Sequence, residues 1–226
     1  MTDTLYSVSV WVIPLIIAIT FHEAAHGWVA NRLGDDTARR LGRVTFNPIR
    51  HVDTFGTLVL PGLLILFGSP FVFGYAKPVP VNFARLRRPR RDMVWVALAG
   101  PGTNLLLALV SGALIHLTPY FSPWLGGWLV DNLERSLIIN VVLAVFNMLP
   151  LPPLDGGRVL TGLLPPALAR PFARIERYGM LLLIGLIFIL PMIGRQIGVD
   201  LNVLTWVLGA PVEWVLRLVL IATGHG

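Results

Sequence analysis

Two histidines and a glutamate are the residues of this sequence best suited to chemistry. His22 and His26 are four residues apart, and Glu23 directly follows the first of them. On a helix, residues four apart project from one face about a turn apart, so both imidazoles can bind a single metal ion. Glu23 then lies beside the ion and can take a proton from a metal-activated water molecule. The spacing predicts a hydrolytic zinc site with one Zn²⁺ per chain.

A catalytic zinc ion needs a third protein ligand and one position open to water. The chain has no cysteine, so that ligand is a histidine or a carboxylate. The candidates are His51, His116, Asp131, Asp155 and a few loop acids. Asp155 is favoured, because the prolines and glycines around it predict a broken helix that can direct an acidic side chain into a bundle. The alternative for Asp155 is an ordinary Pro-Gly turn at the membrane surface.

The elements that carry these residues belong in a lipid bilayer. The 226 residues are 55% hydrophobic and 13% charged, with a mean hydropathy of +0.72. Soluble domains average nearer 45–50% apolar and about 25% charged. This composition excludes an ordinary soluble enzyme. The arginine-rich loops between apolar spans are typical of cytoplasmic loops, and we expect no nucleic-acid partner.

Five apolar runs are long enough to cross the bilayer: residues 6–30, 93–117, 137–149 with flanks, 180–193 with flanks, and 201–221. A further run, residues 56–75, is interrupted by proline and glycine and has arginines on both sides. The positive-inside rule makes it a re-entrant element, although a sixth span stays open. The sequence therefore predicts an all-α polytopic membrane protein of five to six transmembrane helices, with its amino terminus outside. Residues 43–47 and 77–82 are predicted to pair as a small membrane-associated β region.

This topology brings the predicted ligands to one side of the membrane. Residues 6–30 and 137–149 both run from outside to inside, so the histidine pair and Asp155 lie at cytoplasmic ends of parallel segments. If residues 56–75 crossed the membrane, Asp155 would lie on the opposite side from His22 and His26.

Three motifs together resemble the site-2 protease family, the intramembrane zinc metalloproteases. They are the histidine motif at His22, the stretch Ala99-Gly100-Pro101-Gly102-Thr103-Asn104, and the segment from Asn147 to Asp155-Gly156. The basic loop at residues 74–82 is similar to that of a compact bacterial branch. The resemblance covers roughly residues 8–160 and implies cleavage of a transmembrane segment of another membrane protein within the bilayer.

The resemblance also implies a role for each matching residue. His22, His26 and Asp155 match the zinc ligands, and Glu23 matches the catalytic acid/base. Asn147 matches a position that contacts the substrate or the developing oxyanion, with a helix-end hydrogen bond as the alternative. Gly100, Pro101 and Asn104 match a structural motif in which Asn104 bonds across the helix bundle.

We expect residues 1–226 to form a single integral-membrane metalloprotease domain. Its catalytic core is predicted at about residues 8–160, with additional transmembrane helices at about 178–222. We expect no PDZ or CBS domain, and no span before the histidine motif. The expected partners are a transmembrane protein substrate and the bilayer. The expected location is the bacterial plasma membrane, with the active site toward the cytoplasm.

Two other functions are compatible with the same residues. A metal transporter would use the ligands for transit, but it would be expected to show polar residues at several depths or internal repeats. A catalytically silent membrane scaffold would have kept the motif without the activity. The intact set of His22, Glu23, His26 and Asp155 favours the enzyme.

Overall fold

The computed structural model describes residues 2–59, 62, 63, 66 and 76–226. These residues contain nine α-helices whose full extent is described, and no strand. The helices are α1 (Thr2–Arg32), α2 (Thr37–Arg40), α3 (Pro89–Ile115), α4 (Pro123–Asn147), α5 (Asp155–Leu163), α6 (Pro166–Ala173), α7 (Glu176–Ile184), α8 (Leu190–Gln196) and α9 (Val203–Ala222). Short 3₁₀ turns occupy Pro48–His51, Phe83–Arg85 and Thr118–Tyr120. π-Helical turns occupy Thr54–Val59 and Gly185–Ile189, and the second joins α7 to α8.

Four helical segments of the described chain are long and apolar enough to cross a membrane. They are Thr4–Arg32, Pro89–Ile115, Glu176–Gln196 and Val203–Ala222. Large apolar side chains such as Trp11 and Leu106 are 49% and 60% exposed on their outer faces, which suits lipid better than water. The predicted span at residues 137–149 is the second half of α4. That helix is not among the four because Asp131, Glu134 and Arg135 lie within it.

Helices α1, α3 and α4 form the bundle that holds the candidate site. The Tyr6 hydroxyl near the start of α1 donates to Asp131 Oδ2 near the start of α4 at 2.5 Å, so these two helices run parallel. Helix α3 runs antiparallel to both, because the Ser111 hydroxyl donates to Ser136 Oγ on α4 at 2.8 Å while Asn104 contacts Ala18 on α1. The three helices therefore alternate in direction through the bundle.

The connection from α1 to α3 begins and ends at one end of the bundle. One buried cluster contains Ala30 of α1, Val96 of α3, and Leu86, which precedes α3. Arg87 N also donates to Leu33 O at 3.0 Å. Of the predicted re-entrant element at residues 56–75, residues 60, 61, 64, 65 and 67–75 lie outside the described residues.

Residues 43–47 and 77–82 do not form the predicted sheet, since both stretches are described and neither contains a strand. Side chains hold this region together. The Arg43 guanidinium donates to Lys77 O at 2.6 Å, and the buried Asp35 carboxylate accepts from Asn82 N at 2.6 Å. Pro78 and Pro80 have no N–H to donate to a ladder, which explains why the extended stretch stays unpaired as a strand.

Helix α9 runs in the opposite direction to the one that the predicted five crossings require. Val219 joins Ala108 of α3 and Val141 of α4 in a buried cluster, and His116 Nε2, just after α3, donates to Thr223 O, just after α9, at 2.6 Å. α9 is therefore parallel to α3. Five crossings would make the two helices antiparallel, so the five-crossing order is not confirmed. Apolar length predicts that a segment can cross a membrane but not its direction.

Candidate metal centre

His22 and His26 on α1 and Asp155 at the start of α5 bring one metal-binding atom each to a single point. The two Nε2 atoms are 3.0 Å apart, and Asp155 Oδ2 is 3.3 Å from each of them. All three side chains are buried. Nitrogen and carboxylate oxygen are ligands that zinc binds, so the three residues can hold one ion.

The protons in this group point away from the centre. His26 Nδ1 lies 2.7 Å from Val96 O, and because a carbonyl only accepts, Nδ1 carries the proton and Nε2 presents its lone pair. Asp155 Oδ2 is buried without a hydrogen-bond partner in the described part of the chain. Acceptor atoms this close together need a positive charge between them, and a zinc ion fits that requirement.

The pKa of Asp155 also depends on positive charge at the centre. Burial on its own would raise the pKa of the Asp155 carboxyl, but without a metal ion protonation of the neighbouring His26 and His22 rings lowers this pKa well below its usual range. The carboxylate is therefore ionised whenever the centre holds positive charge.

The backbone of α3 closes one side of the centre at Gly100. A Cβ atom at Gly100 would lie 2.6 Å from His22 Nε2 and closer still to His26 Nε2. A side chain here would occupy the space beside the two metal-binding nitrogens. The glycine therefore keeps open the cradle in which an ion can be held.

A break between α4 and α5 delivers Asp155 to the histidine pair. α4 ends at Asn147, and after an irregular proline-rich stretch α5 begins at Asp155 itself. Gly156 lies so close to the carbonyl oxygens of Met148 and Leu149 that a Cβ there would overlap them. The broken helix predicted from the prolines and glycines is confirmed, and the glycine lets the new helix start against the old one.

Glu23, next to His22 on α1, contacts the extended stretch at residues 77–82. Its Oε2 accepts a hydrogen bond from Val79 N at 2.7 Å. Because Pro78 and Pro80 flank Val79 and have no N–H, Val79 supplies the one backbone donor that these three residues have. The bond holds one carboxylate oxygen of Glu23 and leaves Oε1 for another partner.

A family model described as "Peptidase family M50" matches residues 10–124 and 126–191. The chain belongs to peptidase family M50. This is the site-2 protease family, so the resemblance read from the sequence motifs is confirmed. This M50 peptidase is an intramembrane zinc metalloprotease, and its apolar helices make it an integral membrane protein.

Curated relatives carry a matching description. The chain is 40% identical over 185 residues to "Putative zinc metalloprotease YwhC" of Bacillus subtilis (strain 168), covering 80% of each protein. It is 31% identical over 180 residues to Rip2 of Mycolicibacterium smegmatis, covering 80% of this chain and 66% of the relative. It is 31% identical over 164 residues to MJ0611 of Methanocaldococcus jannaschii, covering 69% and 72%. No solved structure matches the chain.

Of the candidates for the third ligand in this M50 peptidase, the structure brings Asp155 to the histidine pair. Asp131 lies near the start of α4 and accepts from Tyr6. His51 is buried, with Nε2 2.9 Å from Thr45 O, and His116 bonds to Thr223 O. These side chains have other partners, away from the centre.

Asn147 makes the helix-end bond that the sequence offered as an alternative. It is the last residue of α4, and its Nδ2 donates to Leu143 O at 3.0 Å. The amide nitrogen carries a second N–H, which this bond does not use.

The sequence reasoning for this M50 peptidase missed two contacts of the site. One is the bond from Val79 to Glu23. The other is Asn140, which joins Asn104 across the bundle and so connects to His22. Asn140 could have been found as a polar residue inside an apolar run, because such residues are costly in lipid and usually have a partner.

Proposed function

We propose that this M50 peptidase hydrolyses peptide bonds within or near transmembrane segments of other membrane proteins, with His22, His26 and Asp155 as its zinc ligands. The convergence of their three metal-binding atoms within 3.3 Å carries the proposal. His22 lies ten residues before the end of α1, about 15 Å along the helix axis. That depth supports a substrate bond inside the bilayer and not in a soluble segment.

Glu23 is the proposed general base. A zinc ion bound at the centre would polarise the scissile carbonyl and acidify a water molecule. Glu23 takes the proton from that water on Oε1, since Oε2 is bound to Val79 N, and delivers it to the leaving amine nitrogen. A carbonyl within a helix is already hydrogen-bonded, so the substrate helix must unwind at the bond to be cut.

Asn147 is the proposed contact for the substrate carbonyl oxygen. Its second amide N–H can donate to that oxygen as negative charge develops during attack. The bond from Nδ2 to Leu143 O supports this assignment, because it anchors the amide against its own helix.

The proposed topology has the amino terminus outside and the metal centre toward the cytoplasm. The shared end of α1 and α3 supports a connection that returns to its own side, with residues 56–75 as a re-entrant element. The arginines of the loops at that end support the cytoplasmic side. They include Arg39, Arg40, Arg43, Arg87, Arg88 and Arg91. The bacterial plasma membrane is proposed because two of the relatives above are bacterial.

We also propose that residues 1–226 form one domain, with the catalytic core at about residues 8–160. The cluster that joins Val219 of α9 to Leu137 and Val141 of α4 supports this, because the carboxy-terminal helix shares the buried core of the bundle.

Replacement of Glu23 by Gln tests the mechanism. The amide cannot take a proton from water, so we expect cleavage of a membrane-protein reporter to fall at least about a hundredfold, while zinc stays bound. Zinc per chain is measured by elemental analysis of the purified protein, and cleavage is followed in proteoliposomes. Glu176→Gln, on the half-exposed partner of Arg158, is the matched control and should leave both unchanged. Full cleavage by Glu23→Gln would show that another group is the base.

A further inference from the structure

A row of buried polar side chains leads from His22 away from the metal centre. His22 Nδ1 lies 2.5 Å from Asn104 Oδ1, and Asn104 Nδ2 donates to Asn140 Oδ1 at 2.7 Å. Asn140 Nδ2 in turn donates to the backbone oxygen of Ser136 at 2.9 Å. Asn104 and Asn140 are both 0% exposed. The two asparagines therefore connect α1 through α3 to α4 inside the bundle, with neither side chain exposed.

The Ser136 carbonyl, at the end of the row away from His22, determines which atom donates and which accepts in each bond. The carbonyl of Ser136 only accepts, so Asn140 must turn its nitrogen toward Ser136 and its oxygen toward Asn104. Asn104 must then present its nitrogen to Asn140 and its oxygen to His22. An oxygen acceptor at His22 Nδ1 requires the proton on Nδ1, which leaves the lone pair on Nε2 at the metal centre.

We propose that Asn140 is a positioning residue for the metal ligand His22. It acts through Asn104, whose amide it holds in the one orientation that makes His22 Nε2 a ligand. The inference rests on the proposed zinc-binding role of His22. For His26 the carbonyl of Val96 accepts from Nδ1 directly, so both histidines have the same tautomer although different groups fix it.

Loss of Asn140 would weaken the hydrogen bonding that fixes the orientation of the Asn104 amide. The remaining acceptor for its nitrogen is the Ala18 carbonyl, at the longer distance of 3.3 Å. With its amide turned over, Asn104 would present N–H groups to His22 Nδ1, and the imidazole proton would move to Nε2. That tautomer cannot bind a metal ion through Nε2.

Asn140→Leu, compared with Asn132→Leu, tests the proposal. Asn132 lies on the same helix, is also buried, and makes the same type of bond, from Nδ2 to Trp128 O at 2.8 Å. Among the described residues it makes no hydrogen bond with Asn104. Zinc affinity of the purified full chain is measured by competition with a chelator, and the histidine tautomers of the metal-free protein are read from imidazole ¹⁵N shifts.

We expect Asn140→Leu to weaken zinc binding about tenfold and to mix the tautomers of His22, while Asn132→Leu changes neither. Asn140→Ser keeps a group that can donate to the Ser136 carbonyl and accept from Asn104, so it should recover part of the affinity. Equal zinc affinity and unchanged tautomers in Asn140→Leu and Asn132→Leu would overturn the positioning role. Absence of zinc binding by the unmodified protein would instead overturn the proposed function.

Discussion

At the scale of single residues, the metal centre is a set of acceptors with no donor between them. His26 has its proton held by Val96 O, and the proposed arrangement of His22 is the same through Asn104. Asp155 Oδ2 completes the set as a buried oxygen that has no hydrogen-bond partner among the described residues. Such a set is unfavourable until a cation occupies it, so loss of the Asp155 charge should reduce metal binding before anything else.

Asp155→Asn should therefore lose zinc. The amide is neutral and can turn N–H groups toward the imidazole lone pairs, so we expect metal content to fall from about one ion per chain to a small fraction, with cleavage lost in parallel. Elemental analysis and the proteoliposome assay measure the two effects. Asp131→Asn, near the other end of α4, is the control and should keep its zinc. Retention of full zinc by Asp155→Asn would exclude Asp155 as a ligand.

At the scale of elements, α3 shapes the centre although it supplies none of the three candidate ligands. Its backbone passes the histidine pair at Gly100, its carbonyl at Val96 orients His26, and Asn104 contacts His22. The motif from Ala99 to Asn104 thus has a physical explanation beyond close helix packing.

Gly100→Ala should weaken zinc binding strongly, by at least about tenfold, because the new Cβ would lie 2.6 Å from His22 Nε2. Gly102→Ala is the matched control, since its Cβ would meet nothing within 4 Å. Alanine favours a helix interior by up to about 1 kcal/mol over glycine, so the control should be as stable as the unmodified protein or slightly more stable. Chelator competition gives the affinities, and thermal unfolding gives the stabilities. Equal zinc affinities in the two variants would show that the cradle at Gly100 tolerates a methyl group.

The elements also show how far the sequence could be interpreted. The His22–His26 spacing and the proline-rich break before Asp155 depend on local geometry and could be recognised in the sequence. The loop charges were also needed, because they place the histidine pair and Asp155 on one side of the membrane. The small sheet was wrong because the extended pattern at residues 77–82 was given more weight than Pro78 and Pro80, whose missing N–H groups are visible in the sequence. Asn140 was missed because its importance depends on a neighbour 36 residues away in the sequence, Asn104.

At the scale of the whole molecule, the direction of α9 could not be predicted from hydropathy. An apolar segment with few flanking charges can cross the bilayer in either direction, and its packing against other helices then decides which direction it takes. In the structure Val219 packs against α3 and α4, which brings the end of α9 beside His116. This contact fixes the direction of α9, and the direction of α9 determines whether the number of crossings is even or odd.

Cysteine labelling can test that arrangement, since the chain contains no cysteine of its own. Tyr120→Cys and His225→Cys lie at the end of the bundle away from the metal centre, and Leu163→Cys follows Asp155 on α5. Tyr120 and Leu163 are 86% and 69% exposed. We expect an impermeant thiol reagent to label the first two in intact cells and the third only after permeabilisation.

The three cysteine positions distinguish an error in the direction of α9 from an error in the side on which the metal centre lies. Labelling of Tyr120→Cys and His225→Cys from opposite sides would restore the five-crossing order. Labelling of Leu163→Cys in intact cells would place the metal centre outside the cytoplasmic half.

The bond from Val79 to Glu23 couples the connection between α1 and α3 to the proposed base. Val79 is the single backbone donor among Pro78, Val79 and Pro80, and it donates to Glu23 Oε2. A displacement of this stretch away from Glu23 must break that bond and return a second free oxygen to the carboxylate. The position of this stretch therefore sets how many oxygens of the proposed base are free of Val79: Oε1 alone while the bond is made, and both oxygens once it is broken.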